Sequence, residues 1–313
     1  MTKVQYVGRP KPIIIRGVRN SKQIKRRIFK KASKVVSSEV TKTSTIQSSV
    51  AFASKKNKNV LKRPDGRDNC GEDAYFLNSN PKSNNNLVFA CGIADGVGGC
   101  TLAGIDPSLI AWRIMECSKE ISNSGVVDPV DIMNTAYSKI KKEKEIFGGA
   151  TTAIVSTITK ERGKFILRCG SLGDSSIIVV RDGRIVLRSK EQTHFWNCPF
   201  QLSYHDKDGE GDTPNDSSVY TLTLEKKDII LLSTDGLTDN LFDRDILSLV
   251  TTCSDYSKDP TKTISTLLVD KAYKKSRTPN ATTPFSQNAP VGLLSARQGG
   301  KPDDITVVAM RVV

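Results

Sequence analysis

Past residue 60, short apolar runs follow one another to the C terminus, and Gly, Asn or Asp residues separate them. Runs of this length between turn residues predict β-strands. The pair Asp182-Gly183 between two of the runs is typical of a tight hairpin turn, because glycine tolerates a positive φ. The predicted strands are Leu87–Ala94, Thr151–Ile158, Lys164–Ser171, Ser175–Val180, Arg184–Arg188, Val219–Leu224, Asp228–Thr234 and Ile305–Val312.

Helical spacing of apolar residues appears in four segments, and three of these begin in the same way. Asp106, Asp128 and Asp259 each precede a proline, which places an N-cap acid before a first-turn residue that lacks an amide proton. Since the strands run consecutively rather than alternating with helices, the pattern favours an α+β fold with antiparallel sheets covered by helices. The predicted helices are Pro107–Ile121, Pro129–Ile146, Asp243–Val250 and Pro260–Tyr273.

The positive charge of the chain is confined to its N-terminal part. The 313 residues carry a net charge of +14, with 47 Lys and Arg against 33 Asp and Glu. Residues 1–64 hold 18 of the basic residues and one acid, Glu39, so the remainder carries 29 basic and 32 acidic residues. The folded domain therefore has no overall charge that would attract nucleic acid. No apolar run approaches the roughly 20 residues of a membrane-spanning helix.

Residues 1–59 are predicted to form a basic arm rich in Ser and Thr, and residues 60–313 a folded domain. Within the arm, Gln23–Val36 has apolar residues three and four positions apart with Lys and Arg around them. This composition is typical of an organelle-import segment, and we expect the mitochondrial matrix. Two alternatives stay open: the basic cluster Lys25–Lys31 is a nuclear import signal, or the arm is a solvated tail of a cytoplasmic protein.

Carboxylates stand next to several of the apolar runs. Asp95 and Asp235 each follow a run and precede a glycine, whereas Glu72-Asp73 and Asp303-Asp304 precede runs. A side chain at a strand end is held rigidly just outside the sheet, and a following glycine lets the backbone turn sharply. Each acid alone is explained equally well as part of a turn or as a solvated residue. Together they indicate a functional site where the strand ends converge.

Convergence of these acids would demand cations. Four carboxylates within about 4 Å of one another repel by about 4 kcal/mol per pair at an effective dielectric near 20, so they must take up protons or bind ions. Oxygen ligands without Cys or His favour Mg²⁺ or Mn²⁺ over Zn²⁺. The seven cysteines lack C-x-x-C spacing and do not indicate a zinc site. Two ions bridged by one carboxylate would turn a shared water into a nucleophile near neutral pH.

Six short motifs follow one another along the chain: Gly71–Ala74, Asp95–Gly99, Gly148–Thr152, Leu172–Ser175, Ser233–Gly236 and Lys301–Thr306. They stand in the order in which the PPM (type 2C) metal-dependent Ser/Thr protein phosphatases carry such motifs, and the chain resembles that family over about residues 65–313. Three segments resemble the short, mitochondrial-type subfamily in particular: Asp95–Gly99, Gln192–Leu202 and Gly299–Asp304. That subfamily typically carries an N-terminal import sequence.

The resemblance implies a four-layer αββα sandwich of two antiparallel β-sheets flanked by helices, with a binuclear metal site at one edge. It implies that Asp95 is a catalytic residue because it bridges two Mg²⁺ or Mn²⁺ ions. Asp235 and Asp303 would complete the ligands of one ion, and Glu72 with the carbonyl of Gly96 those of the other.

Further residues take roles from the same resemblance. Asp73 would be the second catalytic acid, which orients a metal-bound water. Asp174 and Asp239 stand where family members hold a weaker third ion. Arg67 is near the position of a phosphate-binding arginine, and a surface role is its alternative.

One position departs from the family pattern in a way that bears on the chemistry. Many relatives have a histidine at the position of Val97, proposed as the acid that protonates the leaving oxygen. Valine cannot donate a proton, so that role falls to a metal-bound water or is unfilled. His194 and His205 are the two histidines of the chain and lie in none of the metal-binding motifs, and we expect structural or surface roles for them.

The sequence therefore predicts a metal-dependent phosphoprotein phosphatase that hydrolyses phosphoserine and phosphothreonine by direct attack of a metal-activated water. Its partners would be phosphoprotein substrates, and we expect a monomer. The alternative is a catalytically weak pseudophosphatase that acts as a phosphoprotein-binding adaptor. The retained acids Glu72, Asp95, Asp235 and Asp303 argue against it, because a binding module has no need of a repulsive cluster.

Overall fold

The computed structural model of the chain describes residues 36–43, 45–56, 62–63, 65–79, 81, 86–143, 148–204, 211–293 and 298–313, without the side chains of residues 36–40 and 42. The predicted amphipathic segment Gln23–Val36 lies outside the described residues except for Val36, and His205 also lies outside them. In the described part of the chain, no helix combines the length and the apolar character that crossing a membrane requires.

Eleven strands of the described chain form two antiparallel sheets, and two short ladders stand beside them. The larger sheet has the order β1 (Val36–Lys42), β2 (Ile46–Ala53), β15 (Ile305–Val312), β14 (Ile229–Ser233), β8 (Ser176–Arg181) and β9 (Arg184–Arg188). The smaller has the order β13 (Ser218–Leu224), β7 (Lys164–Leu172), β6 (Ala153–Glu161), β4 (Leu87–Asp95) and β3 (Asp73–Asn78). The ladders pair β5 (Ala150–Thr151) with β12 (Leu202–Ser203), and β10 (Thr193–Phe195) with β11 (Cys198–Pro199).

Helices cover the outer faces of both sheets. Their bounds are α1 (Pro107–Asn123), α2 (Pro129–Ile140), α3 (Asp235–Thr238), α4 (Asp243–Tyr256), α5 (Pro260–Ser276) and α6 (Pro284–Asn288), with 3-10 turns at Gly98–Ala103 and Pro214–Asp216. Helices α1 and α2 pack on the five-stranded sheet, whereas α5 packs on β2 and β15 and is flanked by α4. The predicted four-layer αββα sandwich is therefore confirmed.

Alternate residues of the central strands point into different layers. In β14 and β15, Ile230 and Met310 lie in the core between the two sheets, whereas Leu231 and Ala309 lie under α4 and α5. All four are buried. A strand covered on both faces has no solvent side, and this is why these strands are continuous apolar runs in the sequence.

The predicted helix starts are confirmed. The side chains of Asp106, Asp128 and Asp259 each accept a hydrogen bond from a first-turn backbone amide, at 3.0, 2.8 and 3.2 Å. A proline follows each cap. The caps satisfy amides that have no partner inside the helix.

The domain begins earlier than the sequence analysis placed it. Strands β1 and β2 fall inside the predicted arm of residues 1–59, but β2 pairs with β15 along its whole length. Every residue of β2 is buried, although the strand carries serines. The Ser48 hydroxyl is 2.6 Å from that of Thr41, so the polar group is satisfied inside the sheet. The boundary at residue 60 is therefore wrong, because a hydroxyl-rich strand has the composition of a targeting arm.

The position of the boundary can be tested by truncation. We expect a chain that begins at Ser33 to unfold as cooperatively as the full-length protein, whereas a chain that begins at Val60 should not fold. The second truncation removes Ile46, Val50 and Phe52, which are buried in the core. Burial of each such side chain contributes about 1.5–3 kcal/mol, so the loss is comparable to the total stability of about 5–15 kcal/mol of a typical domain.

Circular dichroism during a urea titration measures the effect. Equal urea midpoints for the two truncated chains would contradict the assignment of β1 and β2 to the domain.

Candidate active site

Asp73 and Asp95 face each other across two neighbouring strands. Asp73 is the first residue of β3 and Asp95 the last residue of β4, and the two are paired in the sheet register. The Asp95 amide donates to Thr152 Oγ1 at 3.1 Å, and the Asp95 carbonyl accepts from the Thr152 amide and the Thr151 hydroxyl, both at 2.9 Å. The backbone of Asp95 is thus held on both sides, so the sheet sets the position of its carboxylate.

Asp235 and Asp303 come from the other sheet. Asp235 opens α3 directly after β14, and Asp303 precedes β15, the neighbour of β14. Thr234 donates its hydroxyl to Asp73 Oδ2 at 2.9 Å and accepts the Thr306 amide at 3.0 Å. This threonine therefore joins the two sheets beneath the site.

A pocket of about 380 Å³ lies between these strand ends. The structure brings acids that are far apart in the sequence to its wall, while Asp73 lies behind the wall with no exposed surface. Asp239 joins the cluster through Lys301. The predicted site residues that line the pocket are Glu72, Asp95, Gly96, Asp174, Asp235 and Asp303.

The structure does not bring Arg67 to this pocket. The Arg67 guanidinium pairs with Glu116 on α1 at 2.9 Å and with Asp65 at 3.3 Å, and it lies 5.9 Å from the centre of the Trp112 ring. These contacts hold the side chain against α1. We therefore correct the prediction that Arg67 binds the phosphate, and assign it a structural role.

Lys301 is a site residue that the sequence analysis did not single out. Its ammonium hydrogen-bonds to Asp235 Oδ2, lies 2.6 Å from Asp239 Oδ2 and 3.2 Å from Asp303 Oδ2. The side chain is 18% exposed. The signal in the sequence was a lone basic residue two positions before Asp303, inside a motif otherwise noted for its acids.

Asp304 is a second residue whose role the sequence analysis missed. Its carboxylate accepts the backbone amides of Glu72 at 2.9 Å and Lys55 at 2.5 Å, so it ties the chain before β3 to the chain after β2. Gly71 makes this approach possible: it has a φ of +78°, and a Cβ there would stand 2.0 Å from Asp304 Oδ1. The glycine before Glu72 was the signal that a group packs against the backbone at this point.

Burial and mutual repulsion make these carboxyl groups difficult to ionise. Burial first, and then the charges of Asp73 and Asp235, raise the pKa of Asp95 well above its ordinary value. Burial and the charge of Asp235 also raise the pKa of Asp303, and they raise the pKa of Asp174 to about 7. A cluster with such pKa values holds protons unless a cation replaces them.

Asp235 is the exception within the cluster. Burial opposes its ionisation as well, but the charge of Lys301 and hydrogen bonds from Lys301 and Asp95 outweigh burial, so the pKa of Asp235 is lowered. The pKa of Lys301 is raised well above its ordinary value, because its three acidic neighbours outweigh the effect of burial. The ion pair therefore keeps both partners charged.

The acidic side chains in and behind the pocket fit a hard divalent cation. Asp73 Oδ1 and Asp235 Oδ1 are buried and have no hydrogen-bond partner, and a buried carboxylate oxygen needs one or an ion in its place. Oxygen ligands are those that Mg²⁺ and Mn²⁺ prefer. Among the described residues, no three Asp, Glu, His or Cys side chains stand close enough to hold one ion as they are arranged. In that arrangement Lys301 supplies the positive charge.

The described histidine lies outside the pocket. His194 Nε2 is 2.9 Å from Asp212 Oδ2, and its ring stacks on Phe200 with a centroid distance of 4.3 Å. These contacts agree with the structural role expected from the sequence. Val97 does line the pocket, so the position that carries histidine in many relatives presents an aliphatic side chain to the site.

Comparison with known proteins adds an independent line of information, although no family model matches the chain. Protein phosphatase 2C homolog 7, mitochondrial, from Saccharomyces cerevisiae is 37% identical over 292 residues, which are 86% of this chain and 82% of the relative. Protein phosphatase PTC7 homolog from Danio rerio is 33% identical, covering 85% of this chain and 88% of the relative. The Homo sapiens PTC7 homolog is 34% identical, with coverages of 76% and 78%.

Solved structures show the same fold. The photosystem II phosphatase PBCP superposes with a TM-score of 0.68 at 25% identity, covering 86% of this chain and 99% of that chain. The catalytic domain of the serine/threonine phosphatase PstP, solved with two manganese ions, has a TM-score of 0.53 at 17% identity, with coverages of 86% and 99%.

The raised pKa of Asp174 predicts a specific dependence of stability on pH in metal-free protein. Between about pH 4 and pH 7 the folded state holds a proton on Asp174 that the unfolded state has released, so this group makes the free energy of unfolding fall as pH rises. We expect Asp174→Asn to stabilise the chain above pH 7 in excess chelator and to have little effect near pH 4.

Urea unfolding at several pH values measures this difference. Asp182→Asn, in the hairpin turn between β8 and β9, is the matched control and should show no such dependence. A stabilisation by Asp174→Asn that is the same at all pH values would contradict the prediction.

Proposed function

The chain belongs to the PTC7 branch of the protein phosphatase 2C family and is a protein serine/threonine phosphatase, and we propose that it works with two divalent ions, Mg²⁺ or Mn²⁺. The reaction is direct attack of water on phosphoserine or phosphothreonine. The observation that carries the proposal is the shared pocket at which Asp95 and Glu72 of one sheet meet Asp235 and Asp303 of the other. An adaptor would need no such repulsive cluster, so the pocket favours the enzyme.

The strand-end carboxylates are the proposed ligands. Asp95 would be shared by both ions, Asp235 and Asp303 would hold one of them, and Glu72 with the Gly96 carbonyl would hold the other. When bound, the ions lower the pKa of water towards neutrality and offset the negative charge of the phosphate. The unpartnered Asp235 Oδ1 supports this assignment, because Asp235 lines the pocket and this buried oxygen has no hydrogen-bond partner.

Asp73 is proposed to orient the attacking water. Its Oδ2 is fixed by the Thr234 hydroxyl at 2.9 Å, whereas its Oδ1 is buried without a partner. Burial, and then the charge of Asp304, raise the pKa of Asp73 well above its ordinary value. A carboxylate that is fixed through one oxygen and has no partner on the other can accept a hydrogen bond from water and set the direction of attack, which lowers the entropic part of the barrier.

Two lysines at the end of β2 are proposed to attract the phosphate in place of Arg67. Lys55 Nζ lies 3.7 Å from Asp303 Oδ1, and Lys56 Nζ lies 3.6 Å from Glu72 Oε1. Their side chains are 43% and 76% exposed, so both can turn outward. When divalent ions neutralise the carboxylates, these exposed ammonium groups are free to attract the phosphate.

We further propose that the protein acts in mitochondria, in the matrix. The relative from Saccharomyces cerevisiae is named mitochondrial, and the basic, acid-poor residues before Val36 have the composition of an import segment. The revised domain boundary shortens the candidate segment to residues 1–35.

The metal proposal predicts that Asp95→Asn abolishes Mn²⁺-dependent hydrolysis of a phosphopeptide while leaving the fold intact. Loss of the shared ligand should lower kcat/KM by more than about 100-fold, since loss of a residue that only orients a ligand already costs 10- to 100-fold. Initial rates with the wild-type chain, in Mn²⁺ and in excess chelator, measure the dependence.

Asp182→Asn is the control for this experiment as well, because it makes the same change in charge at a turn whose positive φ asparagine also adopts. Undiminished activity of Asp95→Asn, or of the wild-type chain in excess chelator, would contradict the proposed mechanism.

The localisation proposal predicts that residues 1–35 fused to a fluorescent protein enter mitochondria of a eukaryotic cell. A fusion in which Arg26, Arg27, Lys30 and Lys31 are changed to glutamine should stay outside, because import requires the positive charge. Protease protection of the fusion in isolated mitoplasts distinguishes the matrix from the outer compartments. Nuclear or diffuse fluorescence of the unaltered fusion would contradict the proposal.

A further inference from the structure

We propose that Lys301 is a built-in counter-cation of the acid cluster, which orients Asp235 for metal binding and excludes a further divalent ion from the space between Asp235 and Asp239. The inference rests on the proposed two-ion site and adds to it the number of ions. A weaker third ion was expected at Asp174 and Asp239, and of these two acids Asp239 is in contact with the ammonium of Lys301.

The contacts of the ammonium match its hydrogen-bonding capacity. A lysine ammonium has three protons and no acceptor, and Lys301 Nζ contacts Oδ2 of each of three carboxylates. These carboxylates belong to the start of α3, the residue after α3 and the segment before β15. The lysine therefore joins two separate elements of the site at one point.

The contact with Lys301 gives the two oxygens of Asp235 different surroundings. Oδ2 accepts the hydrogen bond from Lys301, and the buried Oδ1 has no partner. A carboxylate fixed through one oxygen keeps the other aimed in one direction, as outer-shell hydrogen bonds do for metal ligands in general. Lys301 is thus a positioning residue for Asp235.

Hydrogen bonds to Asn240 fix the backbone of Lys301 next to the site. Its amide donates to Asn240 Oδ1 at 3.0 Å, and Asn240 Nδ2 donates to the Lys301 carbonyl at 2.9 Å and to the Gly236 carbonyl at 3.0 Å. Asn240 is fully buried. The Phe285 ring lies 5.3 Å from Nζ, a distance at which an aromatic face attracts a cation. This double hydrogen bond and the ring direct the lysine toward α3.

The consequence is a difference between the two ends of the cluster. Glu72 and the Oδ1 atom of Asp303 pair with the solvent-exposed lysines Lys56 and Lys55, which can leave when ions enter. Around Asp239 the described structure places a clamped lysine that stays, and a divalent ion there would meet a positive charge at contact distance. The geometry thus assigns two ions to the site.

The test counts Mn²⁺ bound per chain, by isothermal titration and by metal analysis of protein dialysed in Mn²⁺. Lys301→Gln keeps a polar side chain that donates hydrogen bonds but removes the charge, whereas Lys301→Arg keeps the charge. We expect two ions in the wild-type chain and in Lys301→Arg, and a third ion in Lys301→Gln. Lys271→Gln removes a surface lysine paired with Asp245 at 2.9 Å and is the charge-matched control, with two ions expected.

The midpoint of thermal unfolding in chelator is a second test of the role of Lys301. Lys301→Gln should have a lower midpoint than Lys301→Arg, and Mn²⁺ should raise its midpoint by more, because divalent ions then replace the missing charge. An ion count of two in Lys301→Gln with the wild-type dependence on Mn²⁺ would overturn the inference about Lys301. An absence of Mn²⁺ binding in the wild-type chain would instead overturn the proposed function, so the two failures are distinguishable.

Discussion

Repulsion between carboxylates is the constraint on which the site of this protein depends. Asp73, Asp95, Asp235 and Asp303 are crowded into or behind one pocket, and at an effective dielectric near 20 a pair of unit charges 4 Å apart costs about 4 kcal/mol. A fold keeps such an arrangement when cations or protons offset the repulsion. The raised pKa of Asp95 and Asp303 and the ion pair of Lys301 are two responses of the metal-free chain to the same demand.

The two sheets create this crowding because their strand ends meet at one edge of the sandwich. β4 and β3 deliver Asp95 and Asp73, while β14 and β15 deliver Asp235 and Asp303, and the Thr234 hydroxyl ties the two sets together through Asp73. The hydrophobic layers between and outside the sheets stabilise the frame, so the acids are held by the core rather than by attraction among themselves. The hydrophobic layers therefore supply the stability of the fold, and the strand ends at one edge supply the reactive groups.

Much of this architecture could be predicted from the sequence, because buried strands and N-capped helices leave strong local patterns. The continuous apolar run of β15 predicts a buried strand, and the Asp-Pro pairs at residues 106, 128 and 259 predict helix starts. β2 was missed because Ser48 and Ser49 are buried through hydroxyl hydrogen bonds, which no local pattern reveals. Arg67 was predicted to be a site residue and Lys301 was not, for a similar reason. Arg67 pairs with Glu116, 49 positions away, and Lys301 with Asp235, 66 positions away, and only the fold determines such partners.

Anomalous scattering from crystals grown with Mn²⁺ tests the central claim most directly, since it locates the ions without reference to activity. The account predicts two manganese peaks, both within coordination distance of the Asp95 carboxylate, with Asp235 and Asp303 on one peak and Glu72 on the other, and Lys301 still in contact with Asp239. Peaks elsewhere on the molecule, or a pocket that stays free of manganese at saturating concentration, would contradict it.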